Sequence, residues 1–390
     1  MSLFSQAELR DRVERLARFE RASASPGEAE AAELIAAELR ELGATARVER
    51  EDAHGGYWWP IGLLTGAAAL AGARSGNLAA GFVGLAAAAA VTDDITGGSQ
   101  WFRRRALPSR STANVVAEIG ATDAQRTVVL VSHHDAAHPG LVFHPALPRA
   151  IARRFPAFWE KQETTPATMW GAVGGPLLVA AGALLGLRPL RSAGTMLSAG
   201  YAAAMADIGV RKVVPGANDN LTGVAVLLSL ARSLRDDPLA GGTRVILLST
   251  GSEESFMEGM QAFARRHFGD LPTESTTVIC VDTVGSPNLL ALEGEGMVWM
   301  NEYPKELLAE VHAAAAQLGI YLLPNLRLRN ATDGLIALRA GYPTAALASV
   351  DDLKLPTNYH WPTDTPDNVD YATVADCARL CRSVLERLAR

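Results

Sequence analysis

The stretch RVILLSTGSEESFMEG, Arg244 to Gly259, decides how the chain is read. Its apolar run RVILLST has the length and branched residues of a buried strand and stops at Gly251. Two adjacent carboxylates, Glu253 and Glu254, follow at once. A solvated turn can carry such a pair without consequence. What the pair means therefore depends on what else the chain sends to its strand ends.

Working outward, helical and strand patterns alternate. SPGEAEAAELIAAELRELG, from Ser25, reads as a helix with an N-cap serine, proline in its first turn and a closing glycine. ATARVER, ANVVAEI and TVVLVS read as strands, and LTGVAVLLSLARSLRDD as the amphipathic helix that precedes RVILLST. TVICVD, the short run IYLLP and TAALAS read as later strands, with helices KELLAEVHAAAAQLG and ATVADCARLCRSVLERLAR around them. This alternation predicts an α/β fold, a three-layer sandwich around a mixed, largely parallel sheet. Ligands in such folds bind beyond the carboxyl ends of the strands.

The 390 residues can bury a large core, and the net charge of -6 with no long basic run argues against a nucleic-acid partner. Cys280, Cys377 and Cys381 form no disulfide framework, which allows a reducing compartment. The opening MSLFSQAELRDRVERLARFE has a charged helical pattern and no apolar core of a signal peptide.

Metal-ligating residue types recur at the strand ends. TVVLVS runs into HHDAAH, giving His133 and Asp135 in an H-x-D arrangement. GANDNLTG places Asp219 before a helix, TVICVD ends on Asp282, and NYHWPTDTPDNVD presents His360. Each has a bland reading: a surface histidine, an N-cap aspartate, a solvated strand end. Together they supply two imidazoles and three carboxylates, a donor set suited to a pair of borderline ions such as zinc. One carboxylate can bridge the ions, which share a water of lowered pKa. Asp135 can fix the tautomer of His133 from behind. Neighbouring residues at a strand end point differently, so one glutamate can ligate while the other faces the water.

The ordered set SHHD, GANDNLTG, SEES, VDTVG and NYHWPTDTPDNVD resembles the M28 family of zinc metallopeptidases, and RASASPGEAEAAELIAAELRELGA and NVVAEIGATDAQRTVVLVSHHD match the family's run into its first ligand. The resemblance implies a zinc aminopeptidase-like fold. It also implies two zinc ions, bridged by Asp219 and by a water or hydroxide. His133 and Asp282 would hold one ion, Glu254 and His360 the other. Glu253 would be the general base, and Tyr359 matches a position that stabilises the oxyanion in some members. His134, at the unspecified position of H-x-D, is not expected to ligate. ATDGLIALRAGYPTAAL lacks the histidine often found after the aspartate, so Asp333 is given no direct catalytic role. M20 metallopeptidases share H-x-D, the bridging aspartate and the EE pair, but GANDNLTG and YHWPTDTPDNVD fit M28 better.

Two apolar stretches interrupt the pattern, YWWPIGLLTGAAALAGARSGNLAAGFVGLAAAAAVTDD and TMWGAVGGPLLVAAGALLGLRPLRSAGTMLSAGYAAAMAD. Each reads as an apolar helical hairpin inserted in the catalytic domain. The expected organisation is catalytic sequence at 1–56, 101–137 and 214–390, a first hairpin at 57–100, and an interfacial segment with a second hairpin at 138–213. The uncharged runs His54–Ala73 and Thr164–Leu187 are long enough to span a bilayer, Ser75–Thr92 is borderline and Ser192–Ala206 is short.

Trp58, Trp59, Trp101, Trp159 and Trp170 lie near the catalytic ends of these runs, as an interfacial belt would. Gly62/Gly66, Gly171/Gly175 and Gly182/Gly186 are small-xxx-small pairs, and PRAIARRFPAFWEK resembles an interfacial segment. The arginines near the catalytic side, Arg103, Arg104, Arg105, Arg153, Arg154 and Arg211 with Lys212, outnumber Arg74, Arg188 and Arg191 at the tips. That bias predicts a cell-membrane protein with its catalytic domain in the cytoplasm. The expected partners are a lipid bilayer and a peptide or amphiphilic amide. A soluble enzyme with the two hairpins packed together, or used as a dimer interface, is the bland counterpart.

Overall fold

A computed structural model describes residues 4–121 and 124–390. Met1–Leu3 of the opening helical pattern and Thr122–Asp123 of the quoted GATDAQR segment lie outside the described residues.

Seven strands make one sheet: β1 Thr45–Ala53, β2 Arg110–Gly120, β3 Arg126–His133, β4 Thr243–Thr250, β5 Thr276–Val281, β6 Asn288–Ala291 and β7 Thr344–Val350. Their spatial order is β1-β2-β4-β3-β5-β7-β6. The four central strands β4, β3, β5 and β7 run parallel, and β1, β2 and β6 pair antiparallel at the two sides. The sheet is thus mixed, with its parallel part confined to the centre. Those central strands are buried along almost their whole length, which is why they read as continuous apolar runs.

Helices pack over the sheet to give the three-layer α/β sandwich predicted from the sequence. Pro26–Glu41 begins where expected, with Ser25 Oγ accepting the Glu28 N–H at 3.3 Å. Thr222–Asp236 and Tyr371–Leu388 pack on one another, and the final helix is capped by Asp370 through the Ala372 and Thr373 N–H groups. One expected strand is absent. Ile320–Pro324 has no ladder of its own and crosses the end of β6, with Leu323 N–H donating to Leu289 O at 2.8 Å.

The two apolar stretches form four helices, Trp58–Arg74, Asn77–Ile95, Trp170–Leu184 and Arg188–Gly209. They pack together into one bundle. Glycine lets them approach: a Cβ on Gly182 would lie 2.2 Å from Arg191 N, and one on Gly84 2.6 Å from Pro176 O. Gly186 is different from its partner in the expected pair. It has φ +71 with nothing within 4 Å of a built Cβ, so it turns the chain rather than packing. Arg191 also departs from its expected place among the tip charges. Its guanidinium caps the first helix, donating to Gly72 O at 2.7 Å and Ser75 O at 2.6 Å.

The helices are shorter than the uncharged runs that produce them. His54 and Gly55 are held outside the first helix by hydrogen bonds to Glu258, and Thr164–Thr165 pair with Arg327 before the third begins. Among the described residues one helix, Asn77–Ile95 with 19 residues, is long and apolar enough to cross a membrane, and half of it is buried. Trp58–Arg74 has 17 residues and Trp170–Leu184 has 15. The outward side of the bundle is nevertheless apolar: Leu70, Leu78, Phe82, Leu185 and Met196 are all more than half exposed.

Candidate metal centre

Four of the candidate residues sit at the carboxyl ends of adjacent parallel strands. His133 ends β3, Glu253 and Glu254 follow β4, and Asp282 follows β5. His360 comes from the loop after β7, and Asp219 from the tight turn before the helix Thr222–Asp236. The asparagines around Asp219 explain how that turn is set. Asn220 Nδ2 donates to Val281 O at 2.9 Å, and Asn218 Oδ1 accepts the Gly285 N–H at 2.7 Å, tying the turn to the loop that carries Asp282. Behind it, buried Asp364 accepts the Asn218 and Asp219 N–H groups.

These residues converge. His133 Nε2 lies 3.2 Å from Asp219 Oδ1 and 3.9 Å from Asp282 Oδ2. His360 Nε2 lies 3.3 Å from the other oxygen, Asp219 Oδ2, and 3.1 Å from Glu254 Oε2. The carboxylate of Asp219 thus faces one imidazole with each oxygen. His133, Asp219 and Asp282 form one group of potential ligands and Asp219, Glu254 and His360 a second, with the atoms of each group within 4.8 Å of one another. Glu253 Oε2 stands 3.9 Å from His133 Nε2 and, with His133 and Glu254, makes a third such group.

The electrostatics follow from this crowding. Burial alone would raise Asp219, but the hydrogen bonds and charges of His133 and His360 outweigh it and hold the carboxyl well below the usual range. Burial raises Asp282 to about 8, with repulsion from Asp219 and Asp333 added and His133 opposing. Glu253 is pushed well above its ordinary value, first by burial and then by Glu254 and Asp282. His360 rises to about 10 because Glu254 and Asp219 outweigh the cost of burying its cation. Crowding thus holds Glu253, Glu254 and Asp282 toward their protonated forms, and divalent cations at this cluster would take the place of those protons. Buried Glu254 Oε1 also has no hydrogen-bond partner. The donor set fits a metal such as zinc.

Asp135 does more than the H-x-D spacing suggested. Its Oδ1 lies 3.3 Å from His133 Nδ1 and accepts the Glu253 N–H at 3.0 Å. Its Oδ2 accepts the Glu254 N–H at 3.1 Å and the Ser23 hydroxyl at 2.6 Å. Both glutamates are thereby aligned on one buried carboxylate. Tyr359 stacks on His360 at 3.9 Å, its hydroxyl accepts from Asn330 Nδ2 at 3.2 Å, and it lines the cavity beside the cluster. His134 turns away and meets Ser249 Oγ at 3.0 Å. Asp333 is buried close enough to Glu253 and Asp282 to raise both. Its Oδ2 accepts from Thr250 Oγ1, and its Oδ1 has no hydrogen-bond partner.

Above the cluster lies a cavity of about 700 Å³. Asp219, Glu253, Glu254, Asp282 and His360 are at its floor. One wall is the sheet side, with Leu292, Leu328 and Val350, and the other is the segment 141–170 that runs from β3 toward the bundle. That segment, read from the sequence as interfacial, also forms a wall of the site.

Residues 200–385 match the family model of Peptidase family M28, a region holding every candidate site residue except His133 and Asp135. The fold is shared with solved structures at low identity. Glutaminyl cyclase from Tannerella forsythia matches with 16% identity and a TM-score of 0.58, covering 98% of this chain and 98% of that one. Aminopeptidase from Aneurinibacillus sp. strain AM-1 matches with 15% identity and a TM-score of 0.58, covering 99% of this chain and 94% of that one. A Zn-dependent exopeptidase from Parabacteroides distasonis matches with 15% identity and a TM-score of 0.57, covering 99% and 98%. No curated protein matches this chain. The family match, the fold and the cluster together support a metallopeptidase.

Proposed function

We propose that this chain is a membrane-associated dinuclear zinc metallopeptidase, an aminopeptidase in its first reading. The single observation that carries the reading is the pair of ligand groups that share Asp219. His133 and Asp282 would hold one ion, Glu254 and His360 the other, with Asp219 between them. Bound zinc supplies a Lewis acid for the scissile carbonyl and lowers the pKa of water.

The chain's own residues do the rest. Glu253 takes the attacking water's proton as the C–O bond forms and returns it to the amine nitrogen as the C–N bond breaks. Asp135 holds Glu253 in place through its backbone N–H and orients His133. Tyr359 donates toward the carbonyl oxygen as negative charge develops there.

The apolar bundle and the wall segment 141–170 support association with a bilayer. We place the two helix pairs as hairpin insertions, with the catalytic domain on the cytoplasmic side. Arg103 drops out of the charge bias that favours this side, because it is buried.

A second reading, an amidohydrolase of N-acyl amino acids or other amphiphilic amides, uses the same water and base. The apolar cavity over the cluster favours it. A peptide-binding membrane scaffold without turnover is the reading from another class, and the complete ligand set weighs against it. Some structural neighbours are glutaminyl cyclases, so the test must score cleavage itself. Full-length protein and its Glu253→Gln variant are compared on matched peptides with a free or an acetylated N-terminus. Cleavage of free-amine peptides by the wild type alone supports the aminopeptidase. Equal or better cleavage of acetylated peptides moves the amidohydrolase to first place. Equal action of both proteins on every peptide overturns the hydrolase.

A further inference from the structure

We infer that the cavity over the cluster is a subsite for a long alkyl chain, and that the substrate is an amphiphilic amide carrying that chain on the acyl side of its scissile bond. The inference rests on the hydrolase reading and chooses between its two substrates.

Size is the first argument. About 700 Å³ lies within the roughly 300–1,000 Å³ of sites that enclose a whole small ligand, and exceeds what one amino-acid side chain needs. The second argument is lining. Leu147, Ile151, Phe158, Leu292, Leu328 and Val350 all line the space, with hydroxyl and amide side chains such as Ser349 and Asn330 among them. The charged groups on its walls away from the cluster are Arg149, Arg329, Lys354 and Asp351. Asp351 is occupied by the Leu353 and Leu355 N–H groups, and Lys354 by the Glu160 and Gln162 carbonyls. Arg329 lies over the Trp170 ring at 5.1 Å. A free α-ammonium placed away from the metal ligands therefore meets arginines, whereas an alkyl chain meets apolar carbon and an anionic head group meets a cation.

The third argument is access. Segment 141–170 is fastened at both ends: the Phe143 ring packs on His360 at 4.6 Å, Trp159 Nε1 donates to Leu353 O at 2.9 Å, and Thr165 N donates to Arg327 O at 3.1 Å. Between these fixings, Leu147 and Phe158 line the cavity and are also 63% and 61% exposed. Leu147 and Phe158 thus present apolar surface both to the cavity and to the outside, on a segment that also exposes Arg149, Arg153 and Arg154. Its ends meet the bundle, through the Leu141 N–H to Asp207 and through Trp170, which opens the third helix. A chain leaving an apolar phase around the bundle base would enter beside this wall along Leu147 and Phe158.

The test uses the full chain in lipid nanodiscs, zinc-loaded, with N-acyl-alanines from acetyl to myristoyl and with free-amine apolar tripeptides. Burial of each added methylene should raise kcat/KM by about fourfold until the cavity is filled. Phe158→Asp, an exposed position that tolerates a charge, should flatten this slope. Leu292→Trp should shift the optimum to shorter chains. A flat slope in the wild type, or tripeptides cut faster than every acyl-alanine, overturns the inference while leaving the hydrolase standing. If neither series is cleaved, the hydrolase reading fails. Binding of a fluorescent alkyl-chain probe to Glu253→Gln, displaced by myristoyl- but not acetyl-alanine, then still decides the subsite. Absence of that displacement refutes it.

Discussion

Arg103 is fully buried and forks onto Asp94, with Nε 2.9 Å from Oδ1 and Nη2 2.8 Å from Oδ2. Its remaining nitrogen donates to Ser255 O at 2.5 Å, one residue beyond Glu254. Glu258 completes the cluster by accepting the Gly55 N–H at 2.9 Å and the Ser255 hydroxyl at 2.7 Å. Both chain crossings into the first helix pair therefore end on the turn that carries Glu253 and Glu254. That turn needs the support, because Ser252, Phe256 and Met257 hold left-handed conformations with φ of 52, 65 and 59. Asp94→Asn removes the bidentate counter-charge of a buried guanidinium and leaves only Glu258, 3.6 Å from Nη1, so it should cost about 3 kcal/mol in unfolding free energy, the low end of the range for a broken buried pair. An unfolding midpoint unchanged from the wild type would contradict this.

The same cluster gives a pH dependence. Burial would raise Glu258, but the hydrogen bond to His54, the charge of Arg103 and the Ser255 hydroxyl hold it down at about 2. The folded value lies below the ordinary carboxylate value. Its stabilisation is therefore present above about pH 4.5 and lost as pH falls toward 2, and amounts to about 3 kcal/mol. Thermal melts across that range should show a smaller acid loss for Glu258→Gln than for the wild type. Parallel curves would remove Glu258 from the explanation.

Asp135→Asn replaces one accepting oxygen with a donor, yet both oxygens now accept backbone N–H groups from the EE turn. Either orientation of the amide sets a donor against Glu253 N or Glu254 N. Zinc affinity, measured by competition with a chelator, should fall by about 10–100-fold. Unchanged affinity with unchanged turnover would limit Asp135 to a passive filler.

Gly182 lets Trp170–Leu184 approach the start of Arg188–Gly209. Gly182→Val must displace the Arg191 backbone and should destabilise the bundle by about 1–3 kcal/mol. Gly186→Asn, in the left-handed turn, should be nearly neutral. Melting curves for the two variants that coincide would contradict the packing role.

Much of this arrangement was legible in the sequence. The central strands RVILLST, TVICVD and TAALAS announced themselves because parallel strands are buried on both faces, and the sequence placed His133, Glu253, Glu254 and Asp282 at the ends of such strands, where the structure has them. IYLLP misled because its burial is alternating and local: Leu322 is buried and Tyr321 exposed, with no partner strand beside it. Arg103 was taken for a surface charge because nothing local shows that Asp94, nine residues earlier, returns to meet it. The second task of Asp135 was hidden for the same reason, since its bonds to Glu253 and Glu254 join residues more than a hundred positions apart. The size of the helices was set by tertiary bonds at His54 and Thr165 that apolar counting does not register.

The most direct test of the central claim measures metal content and turnover together, in full-length wild type and in Glu253→Gln. Glu253 is assigned to proton transfer and Glu254 to zinc. Two zinc ions per chain should therefore be retained by both proteins, with turnover reduced roughly 10²–10⁴-fold in the variant alone. A single ion per chain in the wild type, or a Glu253→Gln variant that turns over at the wild-type rate, would contradict the dinuclear mechanism.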